Sequence, residues 1–94
     1  MVLLFEWDPN KAKSNLAKHG VSFDEASTAF KDPFSMTIED PLHSQEEERL
    51  VLIGYSRRNR LLVVIHADRG DRIRIISARA ATRKERNRYE EDAQ

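Results

Sequence analysis

Three apolar runs in close succession constrain this chain more than any other feature. They read RLVLIGYS (49–56), RLLVVIHAD (60–68) and DRIRIISAR (71–79). Only RRN (57–59) and RG (69–70) separate them, and both are of turn length. Runs rich in Val, Ile and Leu, joined this tightly, predict an antiparallel meander over 49–79. Their apolar centres require a cover on at least one face.

The upstream sequence supplies that cover. Val2–Glu6 reads as a short first strand. WDPNKAKSNLAKHG then carries the punctuation of a helix: Asp8 as N-cap, Pro9 at the first helical position, and Gly20 where a left-handed C-cap belongs. Ser22 and Glu25 form a capping-box pattern, and Phe23, Ala26, Ala29 and Phe30 recur at helical spacing, so a second helix packs on the core until Asp32–Pro33 stops it. Phe34–Ile38 is a strand candidate, and the polar EDPLHSQEEE (39–48) reads as a loop. Thr82 with Glu85 is a further capping box, opening a short C-terminal helix over 83–92. The expected fold is α+β: an N-terminal strand and two helices packed on an antiparallel sheet, then a short C-terminal helix. At 94 residues, with no linker or repeat, the chain is expected to form a single domain over 1–94.

The chain has no cysteine, which removes thiol chemistry and fits a reducing cytoplasm. MVLLFEWD is too short an apolar run for a signal peptide or a membrane span, so a cytoplasmic protein with no membrane partner is expected.

Net charge is zero, but its distribution is not even. Residues 1–48 hold four Lys against ten acids, a balance of −6. Residues 49–94 hold eleven Arg and one Lys against six acids, a balance of +6. Such asymmetry suggests a basic face for a polyanion; the plainer reading is two halves that complement each other across the fold. RIRIISARAATRKERNRY (72–89) concentrates the question, with three isoleucines and seven basic residues in eighteen positions. On a regular strand Ile73, Ile75, Ser77 and Arg79 share one face, and Arg72, Arg74, Ile76 and Ala78 the other. Neither set is apolar throughout, so each face must turn polar along its length. Arginines on a wet face suit phosphate, because the guanidinium stays charged and its planar fork holds two oxygens. Individually, each can instead lie over apolar surface or pair with a cross-strand acid.

The first helix offers a second basic set. Lys11, Asn15 and His19 are spaced i, i+4, i+8 with Lys18 beside them, on one helix face adjoining the Ala12 and Leu16 face. This is either a solvated stripe with His19 at the favourable C-terminal end, or a set that joins the arginines in one groove. Three histidines, His19, His43 and His66, without close ligand spacing make a weak case for a metal site, and His66, ending an apolar run, reads as a core or rim residue with its hydrogen bonds satisfied. The three glycines are isolated, so no phosphate-binding glycine loop is present and no cofactor is expected.

FEWDPNKAKSNLAKHGVSF.EA...F.DP (5–33) together with RIISARAATRKERNRYE (74–90) resembles the BrnT family, toxins of bacterial type II toxin–antitoxin modules. The likeness covers nearly the whole chain, and its most specific marks are K...N..KHG and R.ISAR.A...E...Y. It implies a RelE-like fold and a ribonuclease that restrains translation and growth. The implied partners are RNA and a BrnA-type ribbon-helix-helix antitoxin, with DNA reached only through that antitoxin. Lys11, Asn15, Lys18 and His19 match the first motif. Arg49 matches a basic position opening the meander, Arg74, Ser77 and Arg79 match R.ISAR, and Thr82, Glu85 and Tyr89 match the ending.

The chemistry expected of such a ribonuclease is metal-independent attack of a 2′-hydroxyl on the adjacent phosphate. Arg74 and Arg79 are the candidates for stabilising the charged transition state, with Arg83 or Arg49 assisting. His19 is the candidate acid–base, with Lys11 or Lys18 as substitutes. Arg49, Arg72, Arg83, Lys84, Arg86 and Tyr89 are candidates for holding the RNA. A non-catalytic module binding nucleic acid or an acidic partner, or a degenerate toxin, would share the same basic groove.

Overall fold

The computed structural model describes residues 2–40 and 48–92. In chain order the elements are β1 (Leu4–Glu6), α1 (Pro9–His19), α2 (Phe23–Thr28) with a 3-10 turn (Ala29–Lys31), β2 (Met36–Glu39), β3 (Leu50–Tyr55), β4 (Leu61–Arg69), β5 (Arg72–Ala80) and α3 (Arg83–Asp92). The expected strand at Phe34–Ile38 starts later, at Met36, because Asp32 folds 32–35 into a turn by accepting the Phe34 N–H at 2.9 Å. Most of the expected 39–48 loop, His43 included, lies outside the described residues.

The strands form one sheet of order β1-β5-β4-β3-β2. The meander is antiparallel throughout, as its turns require. β1 departs from the expected antiparallel sheet: it adds to β5 in parallel, pairing Leu4, Phe5 and Glu6 with Arg72, Ile73 and Arg74. The β3–β4 turn places Asn59 at φ 61°, a left-handed position that asparagine tolerates. The β4–β5 turn uses Gly70 at φ 67°, where a side chain would be strained.

The helix signals hold. Asp8 accepts the Asn10 N–H at 2.8 Å, Pro9 opens α1, and Gly20 closes it at φ 70°. Ser22 accepts the Glu25 N–H at 3.0 Å. The reciprocal half of that box is missing, because the Glu25 carboxylate turns inward to Arg60 and Ser56. Thr82 and Glu85 form a complete box, each accepting the other's backbone N–H, at 3.2 and 2.8 Å.

Each sheet face has its own apolar cluster. Val21, Phe23, Ala26 and Ala29 of the α1–α2 layer pack on Leu52, Leu62, Val64, Ile75 and Ala78. On the opposite face Tyr89 of α3 packs with Ile53, Leu61 and Val63. A bulge in β5 allows this division. Ile65 pairs with Ser77 and His66 with Ile75, which leaves Ile76 without a partner. Alternation changes phase there: Ala78 and Ala80, and beyond the bulge Ile75 and Ile73, turn to the helices, so Arg79, Ser77, Arg74 and Arg72 share the other face. The regular-strand division of Arg72 and Arg74 from Arg79 is thereby corrected.

Asn15 ties the first layer to the sheet. It is only 6 % exposed, so it does not share the solvated stripe of Lys11, Lys18 and His19. Its amide donates to Val21 O and Ala78 O, both at 2.9 Å, and accepts the Ala78 N–H at 3.1 Å. Ala78 turns these groups away from β4, at a stretch of β5 that β1 does not reach. Removing the amide would leave three buried backbone groups without partners. Asn15→Ala is therefore expected to destabilise the protein by about 3 kcal/mol, read as a lower urea midpoint at unchanged slope.

His66 is a core residue, as expected, but not a satisfied one. It is 3 % exposed, lies 4.8 Å from the Phe30 ring, and its Nδ1 has no hydrogen-bond partner. Burial pushes its pKa down to about 4, against a weaker upward pull from Asp68. The unfolded chain therefore binds the proton more readily than the folded one, and stability falls as pH drops from about 6.5 toward 4. Between pH 7 and 5 the expected loss is about 2 kcal/mol, and urea titrations of His66→Leu should show that slope flattened.

Candidate nucleic-acid interface

The face shared with α3 is ordered by rows across the strands. Nearest the end of β5, Arg79 pairs with Val63, which pairs with Ile53 and Met36 behind it. The next row is Ser77, Ile65, Val51 and Ile38. Beyond the bulge come Glu6, Arg74 and Ala67. Arg49 continues that row, one step before Leu50, the partner of His66. The last row is Leu4, Arg72 and Arg69. The face thus runs from apolar under α3 to basic beyond it.

Arg49 and Arg74 flank Ala67, which is 1 % exposed. Both arginines are half-buried and Arg72 is exposed. No hydrogen bond or ion pair to a described residue engages any of the three. The Arg49 Nε is enclosed yet has no partner. An enclosed guanidinium nitrogen without an acceptor is an unmet donor, and the guanidinium that carries it keeps its full charge at this row.

Arg79 is differently placed. Its Nη1 and Nη2 each donate to a Glu85 carboxylate oxygen at 2.8 Å, a two-pronged pair. The Arg79 bond holds Glu85 down to about pKa 2, against the pull of burial and with the Thr82 N–H helping. One carboxylate thus closes the α3 capping box and anchors α3 to β5. Tyr89 is buried, and its hydroxyl donates to Asp32 Oδ2 at 2.7 Å. Burial raises its pKa, and Asp32 adds to the effect. The same Asp32 oxygen accepts the Tyr55 N–H at 2.8 Å. Burial opposes ionisation of Asp32, but these bonds and that from Phe34 outweigh it and hold the carboxyl low. Tyr89 and Arg79 therefore both serve as attachments of α3.

The other α3 cations are exposed. Arg86 donates to the Tyr55 hydroxyl at 2.9 Å. Lys84 and Arg88 border a groove of about 650 Å³ floored by Ile38, Val51 and Ile53, which they share with Glu91 and Asp92. Arg83 is exposed at the start of the helix.

Lys11, Lys18 and His19 are exposed on α1, which belongs to the opposite layer. The structure does not bring them into one groove with Arg74: the β5 edge bound by Asn15 stands between. The helical spacing was sound, but it could not reveal on which side of the sheet α1 packs.

Sequence reasoning missed a buried ionic cluster. Glu25, 7 % exposed, accepts from Ser56 Oγ at 2.7 Å and from Arg60 Nε at 2.9 Å, with Arg60 Nη2 on its second oxygen. The Arg60 bond holds the Glu25 pKa below the usual carboxylate range, against burial. Arg60 also donates to Gly20 O at 3.0 Å, joining both helices to the β3–β4 turn. Among the described residues no three His, Asp or Glu converge as metal ligands, and no helix is long and apolar enough to cross a membrane.

Fold and site together define a small α+β protein that presents cations on one half of one sheet face. The family model of the ribonuclease toxin BrnT of type II toxin–antitoxin systems matches residues 7–85, and the chain belongs to that family. The crystal structure of the Brucella abortus ribonuclease toxin BrnT superposes with a TM-score of 0.63 at 25 % identity, covering 87 % of this chain and 100 % of that one. No curated protein sequence matches.

The Arg79–Glu85 pair remains partly exposed, so its strength is limited by solvent. A double-mutant cycle on Arg79→Ala and Glu85→Ala should give a coupling of about 1 kcal/mol in urea denaturation.

Proposed function

We propose that this protein is an endoribonuclease that cleaves RNA without a metal ion, by attack of a 2′-hydroxyl on the adjacent phosphate. It acts in the cytoplasm as a RelE-like toxin that restrains translation and growth. A BrnA-type ribbon-helix-helix antitoxin neutralises it, and contact with DNA comes only through that antitoxin. The observation that carries this reading is the basic row of a BrnT-family chain: Arg74 and Arg49 on either side of Ala67, with Arg72 next to them and no acidic partner among the described residues.

The reaction gathers negative charge on the phosphate oxygens as the fifth bond to phosphorus forms. Guanidinium groups fixed on neighbouring strands are preorganised for that charge and need not reorient when it develops. In this reading Arg74 and Arg49 hold the scissile phosphate and Arg72 a flanking one. Lys84, Arg83 and Arg86 extend the cationic surface along α3. Lys11, Lys18 and His19 extend it around the β5 edge, where they contact RNA beyond the cleaved bond. Arg79 and Tyr89 act on the site through the position of α3.

Induced expression of the wild type in a bacterial host is expected to arrest growth with loss of RNA. Arg74→Ala and Arg49→Ala should each lower cleavage by purified protein about 100- to 1,000-fold. Thermal melts of both variants should match the wild type, since neither arginine has a hydrogen-bond partner among the described residues. A folded wild type that binds RNA without cleaving it would replace this reading with that of a binding module.

A further inference from the structure

Glu6 has no role in the fold described so far, yet its position is well defined. Its neighbours Phe5 and Trp7 turn into the helix layer, where their rings meet Phe30 at 5.1 Å and Phe23 at 6.0 Å, both edge-on. Alternation sends Glu6 to the other face, where it is half-buried and in register with Arg74. Adjacent strands lie about 4.8 Å apart, so Glu6 and Arg74 are immediate neighbours, and Arg49 stands about two strands farther along the same row.

Among the described residues the other partly or fully buried acids are committed: Asp8 caps α1 and Asp40 is also engaged. Glu25 binds Arg60 and Ser56, Asp32 binds Tyr55 and Tyr89, and Glu85 binds Arg79 and Thr82. Glu6 makes no hydrogen bond or ion pair with a described residue, although its register neighbour is a guanidinium. A carboxylate kept for structure in such surroundings would be expected to pair. One left unpaired beside two phosphate-binding arginines has an acceptor oxygen free where a bound nucleotide would lie.

We infer that Glu6 is the general base of the cleavage proposed above, on which this assignment rests. Its carboxylate takes the proton of the 2′-hydroxyl as that oxygen attacks the phosphorus held by Arg74 and Arg49. The P–O2′ bond forms and the P–O5′ bond breaks. The bonding pair leaves on the 5′-oxygen, which takes a proton from water. The products are a 2′,3′-cyclic phosphate and a 5′-hydroxyl, and Glu6 returns its proton to solvent. Glu6 stands beside Arg74 on the arginine face, whereas His19 belongs to the other layer, so the carboxylate needs no rearrangement to act.

The test uses purified wild type, Glu6→Gln, Glu6→Ala and Arg74→Ala on a short RNA and on its uncleavable 2′-deoxy analogue. Glu6→Gln should lower kcat about 100- to 10,000-fold while binding the analogue at least as tightly as the wild type does. Added formate should restore cleavage by Glu6→Ala and leave Arg74→Ala inactive, a rescue that a merely structural residue would not show. The removed side chain makes no hydrogen bond to a described residue, so both Glu6 variants are expected to fold, and thermal melts check this. The inference is overturned by a folded Glu6→Gln with wild-type kcat, or by a loss confined to analogue binding. Absence of cleavage by the wild type would overturn the ribonuclease reading, and the general base with it.

Discussion

The single unpaired residue at Ile76 sets the character of the whole sheet. β5 carries isoleucines and arginines in an order that no regular strand can sort. Without the bulge, packing Ala78 on the helices would point Arg74 and Arg72 into the same core, and the desolvation of two unpaired guanidinium groups would exceed what a small domain can absorb. With it, the chain keeps Ala78 and Ile75 inside and collects Arg72, Arg74, Ser77 and Arg79 outside. The placement of the basic row and the integrity of the core thus have one origin, a local change of phase in one strand.

Around that sheet, the layers are fastened by buried polar contacts as well as by apolar area. Asn15 joins α1 to β5, Glu25 and Arg60 join α2 to the β3–β4 turn, and Asp32 joins the 3-10 turn to both β3 and α3. A domain of this size buries a limited fraction of its surface, and directional contacts of this kind specify one packing among several of similar apolar content. Among the described residues two enclosed side-chain nitrogens stand out as unpartnered. The His66 Nδ1 sits in the core and makes the fold sensitive to acid, whereas the Arg49 Nε sits at the basic row.

Much of this was legible in the sequence. The meander followed from run length and turn spacing, and Asp8, Pro9, Gly20, Ser22 and Thr82 marked helix ends where the structure has them. What could not be read were non-local pairings. Nothing in Leu4–Glu6 announces a parallel partner some seventy residues on, and a bulge leaves no mark beyond two strand faces that are both mixed. Asn15 reads from the sequence as part of the Lys11–His19 stripe, because helical spacing gives a direction around the axis without saying what lies there, and Glu25 reads only as half of a capping box. The arginine cluster was evident. That Glu85 would cap α3 and capture Arg79 with the same carboxylate was not, since the capping-box pattern accounts for only the first use.

The amide of Asn15 has a further consequence for how the sheet can grow. β1 covers only the first part of β5, and without Asn15 the N–H and C=O of Ala78 would stand unpaired at that edge, where a further strand could bind them. Asn15 occupies both, so a helix side chain ends the ladder where a neighbouring strand would continue it. Extension by an added strand, from another copy or another protein, is thereby opposed at Ala78, while the outer edges of β1 and β2 carry no such block from Asn15. One side chain in α1 thus bears on where along its perimeter this sheet can be lengthened.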